Sequence, residues 1–299
     1  MSAAPGPASS LVWGNFNQAE LDRQYNSRAT VPDFTVYTRR YAELTRAAKT
    51  TSACIENLRY GSGADETFDF YPAARSAVGG DAPVLVFLHG GDWRALSKDD
   101  SGFAAPAFNA AGVAFIALNF SMVPNLSIVQ MGAQVRRALA WIGHHIRKHG
   151  GDPARIFIAG HSSGANLVAQ LLVTNWAREF DAAPDLIKGA TFMSGLGDLE
   201  PVRLSFRNTH LKLDDAMVEA ASLLRHAPRA TCPLLVAYGA LEMPEYQRQG
   251  QRVAAHWRRH GLPVEVFKLA NRNHFDAVLE WAEPAGALFR ANLAMIQSG

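Results

Sequence analysis

The sequence predicts an α/β fold: a mostly parallel, eight-stranded sheet flanked by helices on both faces. Three observations carry this. Pro83–Leu88 is an unbroken apolar run of strand length, as expected where both faces of a strand are buried. Strand-type and helix-type segments alternate from there to the C-terminus, the pattern that right-handed crossovers turn into a parallel sheet. A Gly160-His161-Ser162-Ser163-Gly164 turn lies between a β-type run and a helical one, with no room for an ordinary loop.

Taken in order, residues 1–16 read as a disordered lead-in rich in Pro, Ala and Ser, without the basic and apolar regions of a secretory signal. Residues 17–52 form an amphipathic helical cover, with Asp33 capping a helix whose Val36, Tyr37, Tyr41 and Leu44 recur at helical spacing. Strands are expected near 56–60, 66–71, 83–88, 113–119, 155–160, 188–194, 233–238 and 263–269. Helices fill about 99–110, 127–149, 163–177, 245–260 and 277–295. Residues 199–228 break the rhythm with Pro201, several charges and one weak helix at 214–224. They read as a small cap which, with the N-terminal segment, covers the sheet's carboxyl edge, where α/β proteins place their sites. Residues 17–299 are therefore expected to be one domain.

Composition removes several classes of function. The 299 residues are 48% hydrophobic and carry 29 basic against 27 acidic groups, net +2. Nucleic-acid or membrane-surface binding would need a concentrated field of one sign. No apolar run approaches the roughly 20 residues of a membrane span. A cytoplasmic protein acting on a small molecule is expected, with a homodimer left open. Cys54 and Cys232 read as two reduced thiols, a disulfide being the alternative.

Gly160–Gly164 has the context of a nucleophile elbow, the sharp strand-to-helix turn that lifts one serine oxygen above a sheet. Ser162 is the candidate nucleophile, at a helix N-terminus that favours a developing oxyanion. In α/β-hydrolases an acid and then a histidine follow, each after a later strand. Pro233–Tyr238 leads to Glu242, and Val264–Leu269 leads to His274. Glu245 and Asp276 compete for the acid's role, since glutamate is one methylene longer than aspartate. His274 would take the Ser162 proton while Glu242 orients the imidazole. His89-Gly90-Gly91-Asp92-Trp93 follows the third strand, where such loops supply oxyanion donors; the expected donors are the N–H groups of Gly91, Asp92 and Ser163. Most of the ten histidines should be surface residues. His145 and His149 have a metal-compatible spacing but no cysteine or carboxylate to complete a site, so a solvated basic face with His144 is expected.

Together with Ser194–Pro201, Arg203–Asn208, Glu242–Glu245 and the lead-in Gln24–Arg28, these motifs resemble the arylformamidase (kynurenine formamidase) branch of the esterase/lipase-like α/β-hydrolases, from about residue 20 to the end. The resemblance implies hydrolysis of an amide or ester of a small aromatic molecule, without metal or organic cofactor, by Ser162, Glu242 and His274. Three departures stand out. Asp92 lies where relatives commonly have an aromatic, Gly197 where they often have Tyr or Phe, and the acid is Glu rather than Asp. The first two should strip ring surface from the acyl pocket. An inward Asp92 carboxylate would oppose an oxyanion, so it should point away or meet a cation. Trp93, Met122, Leu196, Phe206 and Phe275 are candidate substrate walls, and Tyr25 and Asn26 candidate covers. A short-chain carboxylesterase of the hormone-sensitive-lipase type is the alternative activity, and a catalytically silent binding module the remote one.

Overall fold

The computed structural model describes residues 10–74 and 81–299. A small antiparallel pair, β1 (Leu11–Trp13) and β2 (Phe16–Asn17), precedes the main sheet. The eight strands of that sheet are β3 (Ile55–Arg59), β4 (Thr67–Tyr71), β5 (Ala82–Leu88), β6 (Ala114–Leu118), β7 (Gly151–His161), β8 (Ile187–Met193), β9 (Leu234–Gly239) and β10 (Val264–Leu269). Their spatial order is β10-β9-β8-β7-β5-β6-β4-β3. The run from β10 to β6 is parallel, while β4 and β3 are added antiparallel at one edge.

The side-chain period of two divides β5 between two cores. Val84, Val86 and Leu88 join one cluster, Leu85 and Phe87 the other. The first is closed by α4 (Ile128–His145), α5 (Ser163–Leu172) and α10 (Pro244–Arg259); the second by α2 (Thr35–Thr51), α3 (Ala105–Ala110) and α11 (Ala287–Ser298). Trp281 meets Phe87 edge-on at 5.3 Å between ring centroids. Burying each such side chain stabilises the fold by about 1.5–3 kcal/mol.

The remaining helices are α1 (Gln18–Gln24), α6 (Trp176–Phe180), α7 (Glu200–Leu204), α8 (Asn208–Leu211) and α9 (Asp215–Ala221). The differences from the sequence reading have local causes. The lead-in ends earlier than residue 16, because Leu11 and Trp13 pair with Asn17 and Phe16; residues 1–9 lie outside the described part. The helix expected at 163–177 stops at Leu172, and Asn175 restarts the chain as α6 by accepting the Arg178 N–H. The one expected at 277–295 is a 3-10 turn, Ala277–Ala282, and then α11; Pro284 between them has no N–H to give. The cap is built from α7, α8 and α9 rather than one weak helix. The N-cap of α2 is Phe34 rather than Asp33, whose Oδ1 accepts the Thr35 N–H at 2.8 Å from one residue earlier. No helix among the described residues is long and apolar enough to cross a membrane.

Candidate active site

β7 runs to His161 and α5 begins at Ser163, leaving Ser162 alone in the turn with φ 56° and ψ −121°. A non-glycine residue there costs about 1–3 kcal/mol, which the surrounding packing must hold in place. Close approach requires the flanking glycines. A Cβ on Gly160 would stand 2.5 Å from the Gly164 carbonyl oxygen, and one on Gly164 would stand 2.1 Å from that of Leu88. The Ser162 N–H is fixed by the Met193 carbonyl at the end of β8.

The loops after β9 and β10 bring two further groups to this turn. His274 Nε2 lies 3.0 Å from Ser162 Oγ, and His274 Nδ1 lies 2.9 Å from Glu242 Oε2. All three residues are buried. Glu242 Oε1 accepts the Gly239 N–H at 2.7 Å and the Ser194 hydroxyl at 2.5 Å. The His274 carbonyl accepts the His161 Nε2–H at 2.9 Å, and the Tyr246 ring lies 4.6 Å from the imidazole. Burial, and then the neighbouring His274, hold His161 well below the usual histidine range, so it stays neutral. A hydroxyl, an imidazole and a fixed carboxylate in one hydrogen-bonded chain can move a proton off the hydroxyl.

The competing acids are engaged elsewhere. Glu245 is paired with Arg248 at 2.5 and 2.8 Å and accepts the Tyr25 hydroxyl; Asp276 accepts the Asn273 N–H. Ser163 Oγ accepts the Trp93 N–H at 3.2 Å, tying the elbow to the loop after β5. In that loop Gly91 has φ +111°, and a Cβ on it would lie 1.9 Å from the Ala95 carbonyl. Among the described residues, the N–H groups of Gly91, Asp92 and Ser163 have no protein acceptor.

A cavity of about 250 Å³ opens over Ser162 and His274. Of the predicted walls, Phe206 and Phe275 line it, as do Tyr25 and Asn26 from the N-terminal cover. Trp93 and Leu196 do not; both are buried in the core. Met122 packs half-buried against that core and is also outside the cavity. Gly197 is a further correction. A side chain there would meet Val253 Cγ2 at 2.4 Å, and its N–H is taken by Gln249, so it faces α10 and not the cavity. Sequence reasoning missed Phe34, Thr38 and Tyr41 of the cover and three arginines, Arg28, Arg94 and Arg207. Arg207 lay within the Arg203–Asn208 motif, but nothing local to it signals a buried charge.

Asp92 lines the cavity and meets two cations, Arg207 Nη1 at 3.3 Å and Arg94 Nε at 3.2 Å, with His210 Nε2 at 3.1 Å beside them. Elsewhere, Cys54 and Cys232 are free thiols, pushed up to about 11 and about 12, chiefly by burial. His144, His145 and His149 do not converge on a common point: His145 lies tilted against Trp141 and His149 against Phe70. The acidic cluster Glu56, Asp69 and Asp99 is filled by Lys49 Nζ, 2.7–2.9 Å from each, so lysine supplies the positive charge there.

Residues 68–191, from β4 to the middle of β8, match the BD-FAE family model. Over 95% of its length the chain is 27% identical to kynurenine formamidase of Danio rerio, covering 98% of that protein. It is 28% identical over 89% of its length to the esterase LipQ of Mycobacterium tuberculosis, covering 65% of it. A solved chain from Silicibacter sp. TM1040 superposes with a TM-score of 0.77 at 24% identity, covering 93% of this chain and 99% of that one. A hyperthermophilic esterase from Pyrobaculum calidifontis gives 0.69 at 17%, covering 94% and 96%. The sheet order and the turn at Ser162 give the chain an α/β-hydrolase fold, and its central part is similar to the BD-FAE family.

Proposed function

We propose that this chain is a serine hydrolase, arylformamidase-like, that cleaves an amide or ester bond of a small aromatic substrate through an acyl-enzyme. One observation carries the reading: the hydrogen-bonded chain from Ser162 Oγ through His274 to Glu242 Oε2, at the floor of a cavity. In the first half-reaction His274 Nε2 takes the Ser162 proton as Oγ bonds to the substrate carbonyl carbon. The carbonyl π electrons move to its oxygen, facing the N–H groups of Gly91, Asp92 and Ser163. The tetrahedral adduct collapses, and the leaving amine or alcohol departs with the proton from His274. Water then repeats the sequence on the acyl-enzyme, releasing the acid and restoring Ser162. Glu242 stabilises the imidazolium formed in each half.

Aromatic side chains Phe34, Tyr41, Phe206 and Phe275 around the cavity suit a planar ring. The kynurenine formamidase relatives favour the amide reading and LipQ the ester one. Matched formyl anilides and butyrate esters of one aryl group discriminate between them: a higher kcat/KM on the anilide supports the formamidase-like reading. A fluorophosphonate probe should label the protein at Ser162; an unlabelled protein overturns the hydrolase reading.

A further inference from the structure

Asp92 poses a problem for the site just proposed. Its backbone N–H is one of the three proposed oxyanion donors, and the same residue, which lines the cavity, carries a carboxylate. An uncompensated charge within about 5 Å of an oxyanion, at an effective dielectric near 20, raises the barrier enough to slow turnover on the order of 10²-fold.

Three groups face that carboxylate, and they differ in what they can do. Arg94 is 38% exposed at its side chain, so solvent screens its charge. Burial holds His210 below the usual histidine range despite Asp92, leaving it neutral near pH 7, and its Nε2 makes no aligned hydrogen bond. Arg207 is 4% exposed, and its guanidinium is fixed on two further sides. Nε donates to the Tyr25 carbonyl at 2.9 Å, and Nη2 donates to the Tyr246 hydroxyl at 2.7 Å. Its Nη1 faces Asp92 Oδ1 at 3.3 Å without forming an aligned hydrogen bond, so this contact is one of charge. Among the described residues Asp92 is the only acid paired with Arg207.

We propose that Arg207 is the charge-compensating residue of the oxyanion loop: it neutralises Asp92, so that Asp92 offers its N–H to the developing oxyanion without repelling it. Arg207 acts through Asp92 and is a positioning residue, not a catalytic one. The inference rests on the hydrolase reading and on the donor set Gly91, Asp92 and Ser163.

A double-mutant cycle tests it, with wild type, Arg207→Gln, Asp92→Asn and the double variant assayed on one aryl ester. Arg207→Gln should lower kcat by on the order of 10² with KM within about threefold. Asp92→Asn sets the reference rate for the cycle, and the double variant should recover at least about tenfold over Arg207→Gln. A double variant no faster than Arg207→Gln would overturn the proposal, because support through Tyr25 and Tyr246 alone predicts no rescue. Should Arg207→Gln lose its cooperative melt, Asp92→Asn decides alone. An aryl boronic acid, which becomes a tetrahedral anion on Ser162, should bind that variant at least about threefold more tightly, since Arg207 is then uncompensated; weaker binding overturns the idea. Fluorophosphonate labelling of wild type separates the two failures. No label removes the hydrolase reading and this inference with it, whereas label without rescue removes this inference only.

Discussion

Ser194 gives its hydroxyl to Glu242 Oε1, the carboxylate oxygen that His274 does not use. With the Gly239 N–H on the same oxygen, this fixes a side chain one methylene longer than aspartate so that only Oε2 faces the imidazole. Charge-assisted hydrogen bonds of this kind contribute about 1.5–3 kcal/mol. Ser194→Ala should therefore lower kcat roughly 10-fold or more, with KM little changed. Steady-state kinetics check this, and a change confined to KM would assign Ser194 to substrate binding instead.

Ser162→Ala should cut turnover on the order of 10⁶ while the melting curve is retained. Activity within tenfold of wild type would sink the nucleophile assignment.

Glu242 and Glu245 lie three residues apart and should fail differently. Glu242→Ala should cost on the order of 10⁴ in kcat, because the imidazolium loses its counter-charge. Glu245→Ala leaves that chain intact but strips Arg248 and the Tyr25 hydroxyl of their acceptor. Its cost should appear as about 1–3 kcal/mol of stability, read from urea midpoints. The reverse ranking in kcat would move the acid.

Gly197→Phe should not reshape the cavity. Its Cβ would lie 2.4 Å from Val253, so overpacking of α10 should cost about 1–3 kcal/mol. A lowered KM for aryl substrates with unchanged melting temperature would show that position 197 faces the pocket after all.

His89 gives a pH signature. It is buried against Phe120 with ring centroids 4.3 Å apart, and burial lowers its pKa from 6.5 to about 4. Protons thus bind the unfolded chain more tightly than the folded one. Its stability contribution is full above about pH 6.5 and is lost progressively as pH falls toward 4, by about 3 kcal/mol in all. His161 acts with the same sign. Urea midpoints at pH 7 and pH 4.5 should differ less in His89→Gln than in wild type; equal slopes would contradict the buried neutral state.

How far the sequence could be read depended on the range of the interaction. All eight strands of the main sheet, the turn at Ser162, and the convergence of Glu242 and His274 on it follow from short-range signals. Unbroken apolar runs of strand length mark the buried strands, glycines mark a turn too tight for a Cβ, and each group sits at the end of a strand whose neighbours are set by topology. The cavity wall obeys no such rule. Trp93 and Leu196 went to the core, while Arg94 and Arg207 reached the cavity, because a loop side chain points where distant packing leaves room. The partner of Asp92 was foreseeable only as some cation. That it is Arg207, held by Tyr25 and Tyr246 from opposite ends of the chain, was decided by tertiary structure, since a buried charge persists only where remote groups converge to satisfy it.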